Sequence, residues 1–356
     1  MSKKMKIIPV FVPHIGCPND CVFCNQRRIT GKDNVIVNST YVKNIIEEYR
    51  KTIDENTYTE LAFFGGSFTA IDLSLQEELL KVGKYYKDSG VVHKIRCSTR
   101  PDAINDEILY LHKKYGMNII ELGIQSLDNE VLNLSNRGHS KNDAKNASLL
   151  IRKHNFILGH QIMPGLPGST KENDIQTCKE SIAMEPEIVR IYPTLIIKDT
   201  ALVDMYDKGI YNPLTLEEAI DISAKIYSLY KVKNINVIRI GLQNTESINS
   251  NEDVVAGPFH PAFRQLVEEK IYLSSLIKIL SDTEINNHSI QIYANKKTIN
   301  YIIGHKKSNF INIKKMFGIN KISFKETNNE NLIEIYNEYN KIGSFENSQI
   351  YKNYLR

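Results

Sequence analysis

The sequence predicts an α/β fold in which a parallel sheet curls into a partial (β/α)6 barrel of TIM type, followed by a small basic α+β domain. Short β-rich runs alternate with longer runs of helical spacing six times between residues 6 and 195. The strands are apolar along most of their length, as in parallel sheets that helices cover on both faces. Glycine and polar residues recur directly after the strands, where the active sites of such sheets lie.

Each element follows from its own residue pattern. The strands are the runs KIIPVFVPH, ELAFFGG, HKIRCSTR, NIIELGIQS, FILGHQIMPG and IVRIYPTL. The first helix, TYVKNIIEEYRKTID, has its apolar residues at helical spacing on one side. Further helices are expected at about 74–87, after Pro101, at about 141–154 and near 170–184.

The composition is typical of a globular protein with a large core. The 356 residues, of which 42% are hydrophobic and 24% charged, suggest two domains. No apolar run approaches the ~18–20 residues that a membrane span needs. Five cysteines, three of them clustered, do not form the framework of a secreted disulfide protein, so a cytoplasmic location is expected. The net charge of +4 is only a weak indication of an acidic partner.

Three of the five cysteines, Cys17, Cys21 and Cys24, lie in one loop with the spacing C-x₃-C-x₂-C. Thiolates suit zinc and iron–sulfur clusters. A structural zinc site needs four ligands, for which His14 is one candidate, and three reduced core cysteines are a further alternative. A [4Fe–4S] cluster bound at three irons is the better fit for three thiolates. Such a cluster has one iron with an open coordination position.

This loop resembles the signature of the radical S-adenosylmethionine (radical SAM) enzymes, whose fold is a partial β/α barrel. The resemblance implies that the methionine part of S-adenosylmethionine chelates the open iron. It also implies that an electron from the reduced cluster cleaves a C–S bond and generates a 5′-deoxyadenosyl radical. The cofactor carries the chemistry, and the protein positions it. An external one-electron donor of the flavodoxin or ferredoxin class is therefore expected.

Two stretches resemble the family's contacts with the cofactor. Phe23, next to the third cysteine, resembles an aromatic residue that lies against the adenine, although a plain core phenylalanine is an equal alternative. Gly65, Gly66 and Ser67 resemble the second motif, whose backbone meets the cofactor's amino group. Glycine after a strand permits such a close approach, and it also occurs in ordinary tight turns.

The stretch ELGIQSLDNEVLNLSNRGH resembles the subgroup that contains oxygen-independent coproporphyrinogen III oxidase and the Elongator catalytic subunit. Gln125 and Arg137 match that subgroup's cofactor contacts, and arginine offers a planar fork to a carboxylate or a ribose. Ser98 stands where some relatives carry a carboxylate for the ribose hydroxyls. This departure from the pattern leaves the ribose contact open, and Arg100 and Asp102 are interpreted as structural.

The runs NRGH and RIYPTLIIKDTAL favour the Elongator side, and the resemblance covers roughly residues 6–260. The Elongator subunit also carries an acetyltransferase domain. No acetyl-CoA loop is found after Phe263, so acetyl transfer is not expected of this chain.

Residues 290–324 contain seven lysines and no carboxylate. Their predicted order is strand, helix, loop, helix, strand, and YIIGHKKSNFINIKKMFG resembles a KH-type module whose I-G-x-x-G loop clamps phosphates. Lys307 replaces the second glycine. A solvated lysine-rich face is the alternative. The residues expected to contact RNA are Lys297, Gly304, Lys306, Lys307, Lys314 and Lys315.

The predicted division is a radical SAM barrel at 1–265, a linking helix at 266–289, and a KH-like domain with its tail at 290–356. The tail is interpreted as either a helix or a loose cap. The leading hypothesis is a radical enzyme that modifies RNA, with a tRNA base as the target. The alternatives are a radical or haem-handling protein that acts on a small molecule such as a porphyrin, and a non-catalytic zinc or nucleic-acid binding protein. The sequence gives no indication of the oligomeric state.

Overall fold

The computed structural model describes residues 5–12, 17, 20–25, 36–54, 56–242, 253–281, 285, 289–338 and 340–356. Its centre is a seven-stranded parallel sheet in which each strand pairs with the next one along the chain. The strands are Met5–Val12 (β1), Tyr58–Gly65 (β2), Lys94–Thr99 (β3), Met117–Gln125 (β4), Ile157–Ile162 (β5), Ile188–Ile191 (β6) and Asn236–Ile240 (β8). The predicted partial barrel is confirmed, with seven strands instead of six.

Helices connect the strands and cover the sheet. They are Ser39–Arg50 (α1), Leu73–Asp88 (α2), Asp106–Lys114 (α3), Asn129–Leu134 (α4), Lys141–Lys153 (α5), Lys171–Ala183 (α6), Ala201–Asp207 (α7) and Leu216–Val232 (α8). Two short strands, Ile196–Ile197 (β7) and Val254–Ala256 (β9), form a separate antiparallel pair. The helix predicted after Pro101 begins at Asp106, since a single 3₁₀ turn precedes it.

Local sequence explains where several helices begin. Ser140, Thr170 and Thr215 each accept a hydrogen bond from the backbone three residues on, and each forms a reciprocal capping box. The strands are apolar because both of their faces are covered, and the consecutive residues Leu61, Ala62 and Phe63 of β2 are all fully buried.

The seventh strand, β8, was missed by the sequence analysis. Its run NVIRI is five residues long and follows α8 after a short turn, so its pattern does not stand apart from the helix. Pairing with β6 is what defines it.

The second sheet has four strands in the order β11-β10-β12-β13. They are Ser289–Ala294 (β10), Lys321–Glu326 (β11), Leu332–Asn337 (β12) and Asn340–Glu346 (β13), and between β10 and β11 lie the helices Lys296–Ile303 (α10) and Ser308–Phe317 (α11). The predicted order of strand, helix, loop, helix and strand is thus observed.

The chain's tail is packed. It forms β12, β13 and the helix Asn347–Leu355 (α12), which lies against α8 and against the long helix Phe263–Ser281 (α9). The rings of Tyr227 and Tyr351 are 5.4 Å apart, edge to face, and Ser275 Oγ donates to the carbonyl of Ile350 at 2.9 Å. α9 contains residues 266–281 of the helix predicted at 266–289, and the tail forms two strands and a helix in place of a loose cap.

Among the residues that the structure describes, no helix is long and apolar enough to cross a membrane.

Candidate active site

The cysteine loop follows β1 and is held by two later segments of the chain. The backbone N–H of Val22 donates to Ser135 O at 3.1 Å, and Leu202 N–H donates to Val22 O at 2.7 Å. Within the loop, Cys24 N–H donates to Cys21 O at 3.0 Å. Cys21 is buried, whereas Cys17 and Cys24 are partly exposed. Contacts from distant parts of the chain therefore fix the middle of the loop.

Arg137 connects the cysteine loop to the sheet. Its Nη1 donates to Cys21 Sγ at 3.3 Å and its Nη2 donates to the carbonyl of Gly123 at 2.7 Å. The side chain is buried, and its Nε–H has no hydrogen-bond partner among the described residues. A buried donor without a partner is unfavourable by about 1–3 kcal/mol, so an acceptor from a bound group fits here. Hydrogen bonds to ligand sulfurs also tune the reduction potential of iron–sulfur clusters.

The second predicted motif lies against the first cysteine. Gly65 has a φ of +107°, and a Cβ built there would lie 2.5 Å from the carbonyl oxygen of Val12, so only glycine fits. Gly66 N–H donates to the same carbonyl at 2.9 Å. Ser67 Oγ lies 3.8 Å from Cys17 Sγ. The motif therefore meets the end of β1 and the cysteine loop at one edge of the sheet.

Gln125 and Arg137 converge over Gly123. A Cβ on Gly123 would lie 2.9 Å both from Arg137 Nη2 and from Gln125 Nε2, so glycine leaves the room that these side chains occupy. Gln125 itself has a φ of +61°, an uncommon conformation for a residue other than glycine that clusters at functional sites. Its Oε1 accepts from Gln161 Nε2 at 3.3 Å.

Two further predicted contacts are placed less directly. Ser98 pairs in register with Glu121 of the neighbouring strand and is partly exposed. Phe23 packs against the small buried cluster of Ile196, Leu202 and Tyr211. A structural role for Phe23 is thus present, and its contact with an adenine remains a prediction.

Arg100 and Asp102 form a two-pronged ion pair, with both N–O distances at 2.9 Å. Arg100 is 1% exposed, so this pair stabilises the turn after β3, in agreement with its structural interpretation.

Among the described residues, no three His, Cys, Asp or Glu side chains lie close enough to hold one metal ion. A [4Fe–4S] cluster makes no such demand, since each thiolate binds a different iron. His14, the candidate fourth zinc ligand, lies outside the described residues.

The sequence analysis missed a buried ionic network inside the barrel. Arg96 donates from Nη1 to Glu60 at 2.6 Å and from Nε to Glu121 at 3.0 Å, and Arg190 Nε donates to Glu121 at 2.6 Å. Burial raises the pKa of Glu121, but the two arginines outweigh it and hold that pKa below its ordinary value. The signal was available, because each of these charges interrupts an apolar strand.

His139 is a second residue whose role the sequence did not indicate. It is buried beside Arg137, and its Nε2 lies 3.3 Å from the carbonyl of Ile124. Burial, followed by the charge of Arg137, lowers the pKa of His139 to about 3. The imidazole is therefore neutral and adds no second positive charge beside Arg137.

The predicted RNA-contacting residues form a separate group. Lys297, Gly304 and Lys306 line a cavity of about 320 Å³. Lys307, which replaces the second glycine of the KH-type loop, has a φ of +63°, so the loop keeps the left-handed conformation that glycine favours. Lys315 on α11 is exposed and Lys314 is partly exposed.

Comparisons with known proteins agree with this architecture. The radical SAM superfamily model matches residues 11–180, and the radical SAM C-terminal domain model matches residues 186–272. The tRNA uridine(34) acetyltransferase of Methanocaldococcus jannaschii is 32% identical over 255 residues, which are 61% of this chain and 47% of that protein. An uncharacterised protein of the same organism is 32% identical over 226 residues, which are 60% of this chain and 68% of that protein.

Among solved structures, the archaeal Elp3 of Methanocaldococcus infernus with an N-terminal deletion superposes with a TM-score of 0.58 and 22% identity. The superposition covers 82% of this chain and 70% of that one. This likeness concerns the fold. The chain spans about half the length of the tRNA uridine(34) acetyltransferase that it resembles. Taken together, the two family models and the 32% identical relatives show that the chain belongs to the radical SAM superfamily of enzymes.

Proposed function

We propose that the chain holds a [4Fe–4S] cluster on Cys17, Cys21 and Cys24, cleaves S-adenosylmethionine reductively, and thereby modifies a base of RNA, with tRNA as the first candidate. The observation that carries the proposal is Arg137. Its guanidinium contacts Cys21 and retains, at the edge of the sheet where the strands end, a buried N–H that has no acceptor among the described residues.

Different residues of the chain have different roles in this reaction. The three thiolates bind three irons and leave the fourth iron for the cofactor. Gly65 lets the end of β2 lie directly against Val12 at the end of β1, where the cysteine loop begins, and Arg137 has a donor available for a carboxylate or a ribose oxygen. When bound, the reduced cluster and S-adenosylmethionine supply a 5′-deoxyadenosyl radical that abstracts a hydrogen atom from the substrate. An external flavodoxin- or ferredoxin-like protein supplies the electron.

RNA as the substrate is supported by two independent features. The similarity to tRNA uridine(34) acetyltransferases spans 61% of this chain. Residues 290–324 add seven lysines without a carboxylate, and lysines bind phosphates through long-range attraction. The proposal includes the radical step and leaves out acetyl transfer.

The test is anaerobic reconstitution of the chain with iron and sulfide, followed by incubation with S-adenosylmethionine, dithionite and bulk tRNA. We expect 5′-deoxyadenosine to form only after reduction, and we expect mass spectrometry of the digested tRNA to reveal a changed nucleoside. If no 5′-deoxyadenosine forms, the radical function is wrong. If it forms and only a porphyrin or another small molecule is altered, the RNA part is wrong.

A further inference from the structure

Two adjoining cavities connect the basic loop of the second sheet to the barrel. The first, of about 320 Å³, is lined by Lys297, Tyr301, Gly304 and Lys306 together with Gln265. The second, of about 360 Å³, is lined by Ile240, Leu242 and Arg264 and shares Gln265 and Tyr301 with the first. Because Gln265 and Tyr301 line both cavities, the two lie side by side, and we call them together the trough.

The trough ends at the rim that carries the candidate active site. Ile240 is the last residue of β8, and Leu242 follows it by two positions. All seven strands of the barrel sheet are parallel, so their carboxyl ends lie along the same edge. Gly65 and Gln125 end β2 and β4 at that edge.

The lining combines positive charge with aromatic rings, among which Tyr301 lines both cavities. Lys297 and Lys306 are exposed, and the side chain of Arg264 is 42% exposed. Tyr301 is half-buried at the centre of the trough. Its ring is supported by Tyr272 at 5.5 Å, and Lys297 Nζ lies 5.9 Å from its centroid. Cations beside a supported aromatic face are the combination with which proteins bind single-stranded nucleic acid.

The nearest carboxylates are Glu268 and Glu269, and both are buried. Glu268 pairs with Arg264, whose Nε lies 4.0 Å from Glu268 Oε1, so it offsets part of the charge of Arg264. Glu269 accepts a hydrogen bond from Gln265 Nε2 at 2.7 Å. Lys297 and Lys306 are exposed and supply the positive charge of the trough.

We infer that the trough binds a single-stranded segment of RNA, with a base against Tyr301 and phosphates at Lys297 and Lys306, and leads it toward the barrel rim. This inference rests on the proposed function, because it names the form in which the RNA reaches that site. Stacking on Tyr301 requires an unstacked base, which a single strand offers and a duplex does not, because the bases of a duplex are stacked within the helix.

The test measures binding of fluorescein-labelled octauridylate to the reconstituted full-length chain by anisotropy, at several salt concentrations. Tyr301→Ala should weaken binding by about 5- to 150-fold and leave the salt slope unchanged, because stacking is lost without a change in charge. Tyr301→Phe should bind like the unchanged chain, since its ring stacks equally well. The double variant Lys297→Glu, Lys306→Glu should make the slope of log K against log salt less negative by at least about 1.4. Each lost phosphate contact accounts for about 0.7 of this change.

Lys179→Glu is the matched control, since this exposed residue of α6 lies outside the trough. It should change neither the binding of octauridylate nor the cleavage of S-adenosylmethionine. Three results would each overturn the inference. Tyr301→Ala and Tyr301→Phe could both bind octauridylate like the unchanged chain, or Lys179→Glu could reduce the magnitude of the salt slope as much as the lysine variants of the trough. The third result is an octamer duplex that competes for binding as well as the single strand does.

Failure of this inference can be separated from failure of the proposed function. Cleavage of S-adenosylmethionine is measured in the same samples. Cleavage with altered tRNA nucleosides, together with binding that Tyr301 does not affect, would refute the trough and retain the function. Octauridylate binding that depends on Tyr301, in a chain that cleaves no S-adenosylmethionine, would refute the proposed function and retain the trough.

Discussion

The edge of the barrel sheet and the basic C-terminal region place their candidate site residues in opposite ways. At the barrel edge, the side chains are buried and held by close contacts, as in the bonds of Arg137 to Cys21 and to Gly123. In the C-terminal region, the cations Lys306 and Lys307 are exposed on a loop. The difference implies that single substitutions at the barrel edge have large, specific effects, whereas single substitutions of the exposed cations in the C-terminal region have small effects that depend on salt.

The largest effect is expected from removing a cluster ligand. Cys21→Ala should abolish the brown colour of the reconstituted protein and all cleavage of S-adenosylmethionine, because the two remaining thiolates cannot hold the cluster. Iron content and 5′-deoxyadenosine formation measure this.

Cys178→Ala is the matched control for Cys21→Ala. Cys178 is buried in α6, outside the cysteine loop, so its removal should leave the iron content unchanged. Equal iron loss in both variants would show that the loop is not the cluster site.

The next effect concerns backbone geometry at the barrel edge. Gly65→Ala should lower the free energy of unfolding by about 2–5 kcal/mol, combining ~1–2 for the left-handed backbone with ~1–3 for the clash with Val12. Gly90→Ala is the comparison, because Gly90 also has a positive φ of +79°, but a Cβ added there would meet no atom of the described residues within 4 Å. Gly90→Ala should lower the free energy of unfolding by only about 1–2 kcal/mol. Equal losses in urea unfolding would contradict the close approach.

Arg137 tests the role of its planar fork. Arg137→Lys keeps the positive charge, but a lysine cannot contact Cys21 and Gly123 together. The affinity for S-adenosylmethionine should therefore fall by about 10- to 150-fold. This range corresponds to the ~1.5–3 kcal/mol contributed by a hydrogen bond to a charged group. The reduction potential of the cluster should also shift.

Arg50→Lys, on the exposed surface of α1, should change neither the affinity nor the potential. An Arg137→Lys protein that merely unfolds more easily, with an unaltered potential, would limit Arg137 to a structural role.

The smallest effect belongs to the C-terminal region. Lys307 has a left-handed backbone, so Lys307→Gly should raise the free energy of unfolding by about 1 kcal/mol. Lys315→Gly also removes one positive charge, but within the helix α11, and should lower the free energy of unfolding by about 1 kcal/mol. Thermal melting distinguishes the two. If both variants are destabilised equally, the strain assigned to Lys307 is absent.

The same contrast explains what the sequence could predict. The alternation of strands and helices and the cysteine spacing are local patterns, and the barrel followed from them. The second site motif was also local, because the glycines of Gly65-Gly66-Ser67 follow a strand directly.

Other features depend on contacts that no local pattern contains. The contact of Arg137 with Cys21 joins residues 116 positions apart, and the trough joins β8 to α10. Tyr301 carries no sequence signal, because an aromatic residue on a helix is usually part of a core. The charges of Glu121 and Arg190 within apolar strands were visible, but their pairing depends on the register of β4, β5 and β6.

The most direct test of the account is electron paramagnetic resonance of the reduced, anaerobically reconstituted chain, with and without S-adenosylmethionine. The account predicts the signal of a [4Fe–4S] cluster that changes when S-adenosylmethionine is added, because the cofactor occupies the iron that no cysteine binds. A colourless protein with one bound zinc, or a cluster whose signal S-adenosylmethionine leaves unchanged, would contradict it.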